Sequence, residues 1–105
     1  MPCSPSLVSF GQADNSGSID VNYSGYVTND LAMTATMTVS CTADANMFAA
    51  MELNNSIQPP ESSMPSDTVT ITLTCSFDTM TWNYMTDYNG QIYVIPVDSV
   101  SCLQI

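Results

Sequence analysis

Residues 31–41 read LAMTATMTVSC and residues 68–77 read TVTITLTCSF. In the first stretch Leu31, Met33, Ala35, Met37, Val39 and Cys41 alternate with Ala32, Thr34, Thr36, Thr38 and Ser40. In the second, Val69, Ile71, Leu73, Cys75 and Phe77 alternate with Thr68, Thr70, Thr72, Thr74 and Ser76. A period of two with β-branched residues in both phases specifies strands with one apolar face turned to a core and one Thr/Ser face turned to water. Shorter runs with the same texture predict strands at 7–10, 19–27, 47–53, 80–86, 91–95 and 97–103. Turns are marked at 15–17, 42–46 and by Asn89-Gly90. Residues 56–67, with Pro59, Pro60 and Pro65, form a Pro/Ser-rich loop. No segment carries a helical stripe, although 46–53 leaves room for one helical turn. Seven or eight short strands in 105 residues predict a single all-β domain, 1–105, built as an immunoglobulin-like antiparallel β-sandwich.

The two deciding strands also open a weak repeat. Aligned on Cys41 and Cys75, each is followed by Asp after three residues (Asp44, Asp78), an aromatic after seven (Phe48, Trp82) and Met after ten (Met51, Met85). This reads as a β-hairpin used twice, with Phe48 and Trp82 as core aromatics. Met33, Met37, Met51, Met80 and Met85 are expected to fill that core, because Met adapts to irregular gaps. Exposed MxxM-type spacing, as a methionine copper site requires, is absent.

Composition excludes more than it identifies. The chain has ten Asp and Glu and no Lys, Arg or His, for a formal charge of −10. Nucleic acid and anionic membranes are excluded as partners, since both need cationic side chains against phosphate. Without His there is no Ser-His-Asp or Cys-His site and no His-containing zinc site. The ten acids stand singly along the chain, a poor start for a two-carboxylate enzyme. The expectation is therefore no catalytic residue, no metal and no cofactor. Mean hydropathy is +0.10, and no run approaches the ~20 apolar residues of a membrane span. Residues 1–10 open on a Ser/Pro-rich stretch without the apolar run of a signal peptide. If secreted, the chain is expected to be a processed form or a fragment.

Cys3, Cys41, Cys75 and Cys102 are even in number, widely spaced and without a CxxC pair. This predicts two disulfides in an oxidising, extracellular compartment. Three pairings are open. Cys41–Cys75 across the core with Cys3–Cys102 joining the termini is the leading one, and Cys3–Cys41 with Cys75–Cys102 stands close behind.

Other candidates concern surface chemistry. Asp14, Ser16, Ser18 and Asp20 present oxygens at alternate positions, but lack the Gly and closing Glu of a calcium loop, which favours a polar turn. Asn22-Tyr23-Ser24 and Asn54-Asn55-Ser56 are N-glycosylation sequons, with Asn54 expected to be exposed beside the loop. Ser62, Ser63 and Ser66, among prolines, are candidates for O-glycans. Phe48, Trp82 and Tyr84 are weighed as a sugar-binding surface, against core packing as the commoner fate.

The stretches TMTVSCTADANMFAAMELN, VTITLTCSFDTMTWNYMTDYNG and VDSVSC resemble the six-cysteine extracellular domain of nematode proteins. The matching features are the Thr-rich strand ending in Cys41, Phe48 with Asn54, TLTC at Cys75, Trp82 with Tyr84, and SVSC at Cys102. Cys3 fits an N-terminal family cysteine. The chain departs in having four cysteines rather than six. The resemblance implies an extracellular module, often in tandem copies, and carries no catalytic residue. The expected role is a non-enzymatic structural or matrix module whose partners are copies of itself or tandem neighbours, with glycans, and residues 1–10 as a candidate donor or joining strand. The alternative is a monomeric binding module for carbohydrate or a cationic protein.

Overall fold

The computed structural model describes residues 3–14, 17–62 and 65–105. Among them are nine strands: β1 (Ser9–Phe10), β2 (Ser18–Ile19), β3 (Asn22–Asn29), β4 (Thr34–Thr42), β5 (Ala49–Leu53), β6 (Thr68–Ser76), β7 (Thr81–Tyr88), β8 (Gln91–Pro96) and β9 (Ser99–Gln104). They form an immunoglobulin-like sandwich of two sheets. One sheet has the order β3-β4-β6-β7-β8. In the other, β9 pairs with β5 along one side and with β1 and β2 along the other. All neighbours are antiparallel except β1 and β9.

The alternating stretches form the centre of the five-stranded sheet. β4 and β6 pair over their whole length, from Thr34↔Ser76 to Thr42↔Thr68. The register sets Ala35 against Cys75, Met37 against Leu73, Val39 against Ile71 and Cys41 against Val69, all buried. The opposite face carries Thr36↔Thr74, Thr38↔Thr72 and Ser40↔Thr70. Each such cross-strand pair contributes roughly 0.2–1 kcal/mol, and a one-residue slip would exchange the two faces, so the sequence pattern pins the register.

The structure corrects several expectations. Leu31 and Met33 leave the strand. Asn29 Oδ1 accepts from Ala32 N at 3.1 Å and Met33 takes φ 55°, so residues 30–33 turn. Residues 19–27 are two strands. Ile19 pairs with Cys102 in one sheet, Asn22 with Ser40 in the other, and the chain crosses between sheets at Asp20 and Val21. A bulge follows between Ser24 and Val27, where Gly25 takes φ 64° and Tyr26 turns in against Trp82. β6 and β7 do form a hairpin, but β4 and β5 do not, because β5 pairs with β9 in the facing sheet. Phe48 precedes β5 in the outward phase, opposite in phase to buried Ala49, Met51 and Leu53, and is 51 % exposed, so it is no core aromatic. Met37 and Met51 fill the core, whereas Met33, Met80 and Met85 lie on the surface.

The disulfides are Cys3–Cys75 and Cys41–Cys102, the third pairing. Cys41 and Cys75 share the inward face of adjacent strands, but Cys41 lies opposite Val69 and Cys75 opposite Ala35. Six residue steps separate them, about 20 Å, far beyond the reach of a disulfide. Cys41 instead bridges the two sheets to Cys102 on β9. Cys75, at the far end, takes Cys3. That bond and the Ser9↔Ser99 pairing tie residues 3–10 to this domain. The first two residues of the 1–10 segment lie outside those described.

Candidate functional site

The ten acids were the sequence's main chemical resource, and none is buried. Asp14, Asp20 and Asp44 line one cleft of about 380 Å³ with Asn22, Ser40 and Gln104. Their carboxylates accept hydrogen bonds from backbone and side-chain N–H groups of the domain. Asp20 Oδ1 accepts from Ala13 N at 2.7 Å, and Asp14 Oδ1 accepts from Ser18 N at 3.4 Å. Asp44 Oδ2 accepts from Gln104 Nε2 at 3.0 Å while Gln104 Oε1 accepts from Asp44 N at 2.9 Å, tying 44 to the end of β9. No group of three His, Cys, Asp or Glu among the described residues is placed to hold a metal ion. Ser16 of this motif, and Asn15 of the turn, lie outside the described residues.

The aromatic candidates do not gather into a sugar platform. Trp82 is 1 % exposed, with Nε1 donating to Ser4 O at 3.0 Å. Tyr84 is buried and donates its hydroxyl to a carboxylate oxygen of Glu61. Burial, reinforced by that carboxylate, raises the Tyr84 hydroxyl from 10.0 to about 12.

The described residues of the 56–67 loop cover the outer edge of β5. Ala49 N donates to Ser66 O at 2.8 Å and Met51 N to Ser62 Oγ at 2.9 Å, while Leu53 N donates to Ile57 O. Ser62 is buried, and its Oγ also accepts from Gln58 Nε2, so the hydroxyl proposed for an O-glycan is an internal anchor. Ser66 Oγ donates to Thr68 O at 3.0 Å. Ser63 lies outside the described residues.

The two sequons are unlike. Asn22 is exposed at the start of β3. Asn54 is half-buried rather than exposed. Its Nδ2 donates to Pro96 O at 2.8 Å, and its Oδ1 accepts from Asp98 N at 2.8 Å and Ser99 N at 3.3 Å. It thus grips the segment that carries the chain from β8 in one sheet to β9 in the other. The legible signal was Asn54-Asn55, both at positive φ (54° and 63°), a conformation Asn tolerates better than other non-glycine residues.

The remaining surface feature is the β7–β8 hairpin. β6 pairs with β7 only from Ser76↔Thr81 to Leu73↔Tyr84, whereas β7 pairs with β8 out to Tyr88↔Gln91. The hairpin therefore projects past its sheet. Ile92, Tyr93 and Val94 are 72 %, 46 % and 54 % exposed, and Met85 stands opposite Val94. The sequence predicts a strand at 91–95 and assigns it no face. The fold leaves it at an edge.

No curated protein and no solved structure gives a significant match to this chain. The family model of the C6 domain matches residues 3–102, from the first cysteine to the last. The matched span holds both disulfides, the Thr-faced strand pair and the buried Trp82. The chain belongs to the C6 domain family, as a member with four cysteines joined in two bridges.

Proposed function

We propose that this domain is a non-enzymatic extracellular structural module that self-associates, as an oligomer, a filament or a tandem array. The observation that carries the reading is the projecting β7–β8 hairpin, an open strand edge on which Ile92, Tyr93, Val94 and Met85 stand together exposed. Exposed apolar edges of this kind mark association sites. Two disulfides in 105 residues suit an oxidising exterior, and no helix among the described residues is long and apolar enough to cross a membrane. Sedimentation velocity over a wide concentration range, with negative-stain microscopy of the unreduced protein at neutral pH, tests the reading. The expected result is mass that grows with concentration and is unchanged by EDTA. A monomer up to millimolar concentration would overturn it.

A second reading has its own observation. The cleft edged by Asp14, Asp20 and Asp44 belongs to a chain without Lys or Arg, which favours a cationic protein as partner. Such binding weakens steeply with salt, and affinity that ignores ionic strength would dismiss it.

A further inference from the structure

Most sheet edges of this molecule are protected. The open side of β5 is bonded to the 56–67 loop, β3 is broken by its glycine bulge, and β1 and β2 are two residues each. β8 has none of these devices. Its turn, Asn89-Gly90, has positive φ at both residues (55° and 79°), the geometry of a two-residue hairpin in which the flanking pair is hydrogen-bonded. Counting from Tyr88↔Gln91, the hydrogen-bonded pairs with β7 fall at Gln91, Tyr93 and Ile95. Antiparallel alternation then turns the N–H and C=O of Ile92 and Val94 away from the sheet. Pro96, next in that phase, has no N–H to offer.

Resting on the reading of the domain as self-associating, we propose that the partner is a second copy of this chain, paired antiparallel through β8 about a two-fold axis at Tyr93. Ile92 of each copy then exchanges both backbone hydrogen bonds with Val94 of the other, and the two Tyr93 residues meet as a non-hydrogen-bonded pair. The register follows from the donors: with Pro96 silent, Ile92 and Val94 are the pair that a two-fold axis maps onto each other. Charge permits a copy at this edge: β8 contains no acid, so pairing it with a second β8 puts no carboxylate in either joined strand, and the acid beside it is Asp87, opposite Ile92 on β7. The exposed parts of Ile92, Tyr93, Val94 and Met85 amount to roughly 400 Å² per copy, so the pair buries at most about 800 Å², the size of a weak, transient contact. The dimer is therefore weak and reversible, and salt tightens it by screening the like charges.

The test combines sedimentation with trapping on the intact domain. Val94→Pro removes an outward N–H that β7 does not use, and Ile92→Asp adds charge at the edge. Each is expected to weaken dimerisation at least ten-fold, and Trp82 fluorescence in urea verifies that each variant is folded. Tyr93→Cys places two thiols at a non-hydrogen-bonded pair, where mild oxidation is expected to link the copies through position 93, as read in peptide maps. Leu31→Cys, at a fully exposed turn residue, serves as the control and is expected not to link. If the wild type self-associates but folded Val94→Pro and Ile92→Asp dimerise as it does, or Leu31→Cys links as fast as Tyr93→Cys, this edge is not the contact. If the wild type stays monomeric to millimolar concentration, the self-association reading itself falls. Dimerisation that weakens with salt would point to a different, charge-driven contact and overturn the pairing.

Discussion

Replacing Asn54 is the sharpest test of how the two sheets are held in register at one end. Its side chain makes three hydrogen bonds to residues 96–99, and its backbone N donates to Ser99 O at 2.9 Å. That segment includes buried Val97, whose N donates to Trp82 O, so loosening it exposes the core beneath Trp82. An intramolecular hydrogen bond contributes roughly 0.5–1.5 kcal/mol net. With one of the three long, at 3.3 Å, and water able to reach the segment in part, losing all three costs about 2 kcal/mol. Asn54 also sits at φ 54°, and placing Ala there costs about 1 kcal/mol more. Asn54→Ala is therefore expected to destabilise by about 3 kcal/mol, a large share of the roughly 5–15 kcal/mol typical of a whole domain. Asn54→Gly loses the same hydrogen bonds but not the backbone fit, and is expected to be about 1 kcal/mol milder. Urea denaturation read by the single buried Trp82 measures both. Asn54→Ala within about 0.5 kcal/mol of the wild type would refute the clamp. Gly and Ala variants of equal stability would refute the backbone part alone.

Three further outcomes are expected. Peptide mapping of the unreduced protein with chymotrypsin, since trypsin has no site, gives Cys3–Cys75 and Cys41–Cys102; a Cys41–Cys75 peptide would contradict the register of β4 and β6. Tyr84 ionises only near pH 12, so the folded state holds a proton that the unfolded state releases from about pH 10 upward. Its stability contribution is complete below pH 10 and is lost on rising to 12, and in a 295 nm titration Glu61→Gln shifts the late-ionising tyrosine downward. Expressed through a eukaryotic secretory pathway, the domain is expected to carry its N-glycan at Asn22, so Asn22→Gln removes the added mass and Asn54→Gln does not.

The sequence was most legible where one physical rule acted alone. Along β4 and β6 the alternation of Val39, Ile71 and Leu73 with threonines leaves one way to bury the apolar face, and the strands follow it. It was less legible where tertiary context decides. Cys41 and Cys75 share an inward phase, and phase says nothing of the six-step offset that pairing imposes. Phe48 follows the Cys-Asp-aromatic spacing of Trp82, yet β4 is followed by a change of sheet and β6 by a hairpin, so equal spacing leads to opposite faces. The strand expected at 91–95 is found, and only the sheet order reveals that it ends its sheet, with no described strand beyond it. Asn54 carried a sequon that drew its chemistry toward glycans, while its geometry serves the crossover.

The interlaced bridges bear on a structural role directly. Cys3–Cys75 and Cys41–Cys102 close loops spanning 72 and 61 residues, and each loop contains one end of the other. A chain-entropy estimate gives about 4 kcal/mol for either bridge alone. Because the loops overlap, the two constrain the same unfolded chain and their effects are not additive. Under tension the consequence is simpler. A pull between Cys3 and Cys102 passes through the first bridge and then along the 27 residues from Cys75 to Cys102. At about 3.3–3.6 Å per residue, that path stops near 90–100 Å, against roughly 330–360 Å for the reduced chain. The bridges that a small, acidic, cation-free domain needs for folding thus also limit how far it yields. A pair of copies joined edge to edge through β8 would lose its weak contact long before either chain ran out, so the two would part reversibly while each domain stayed covalently closed.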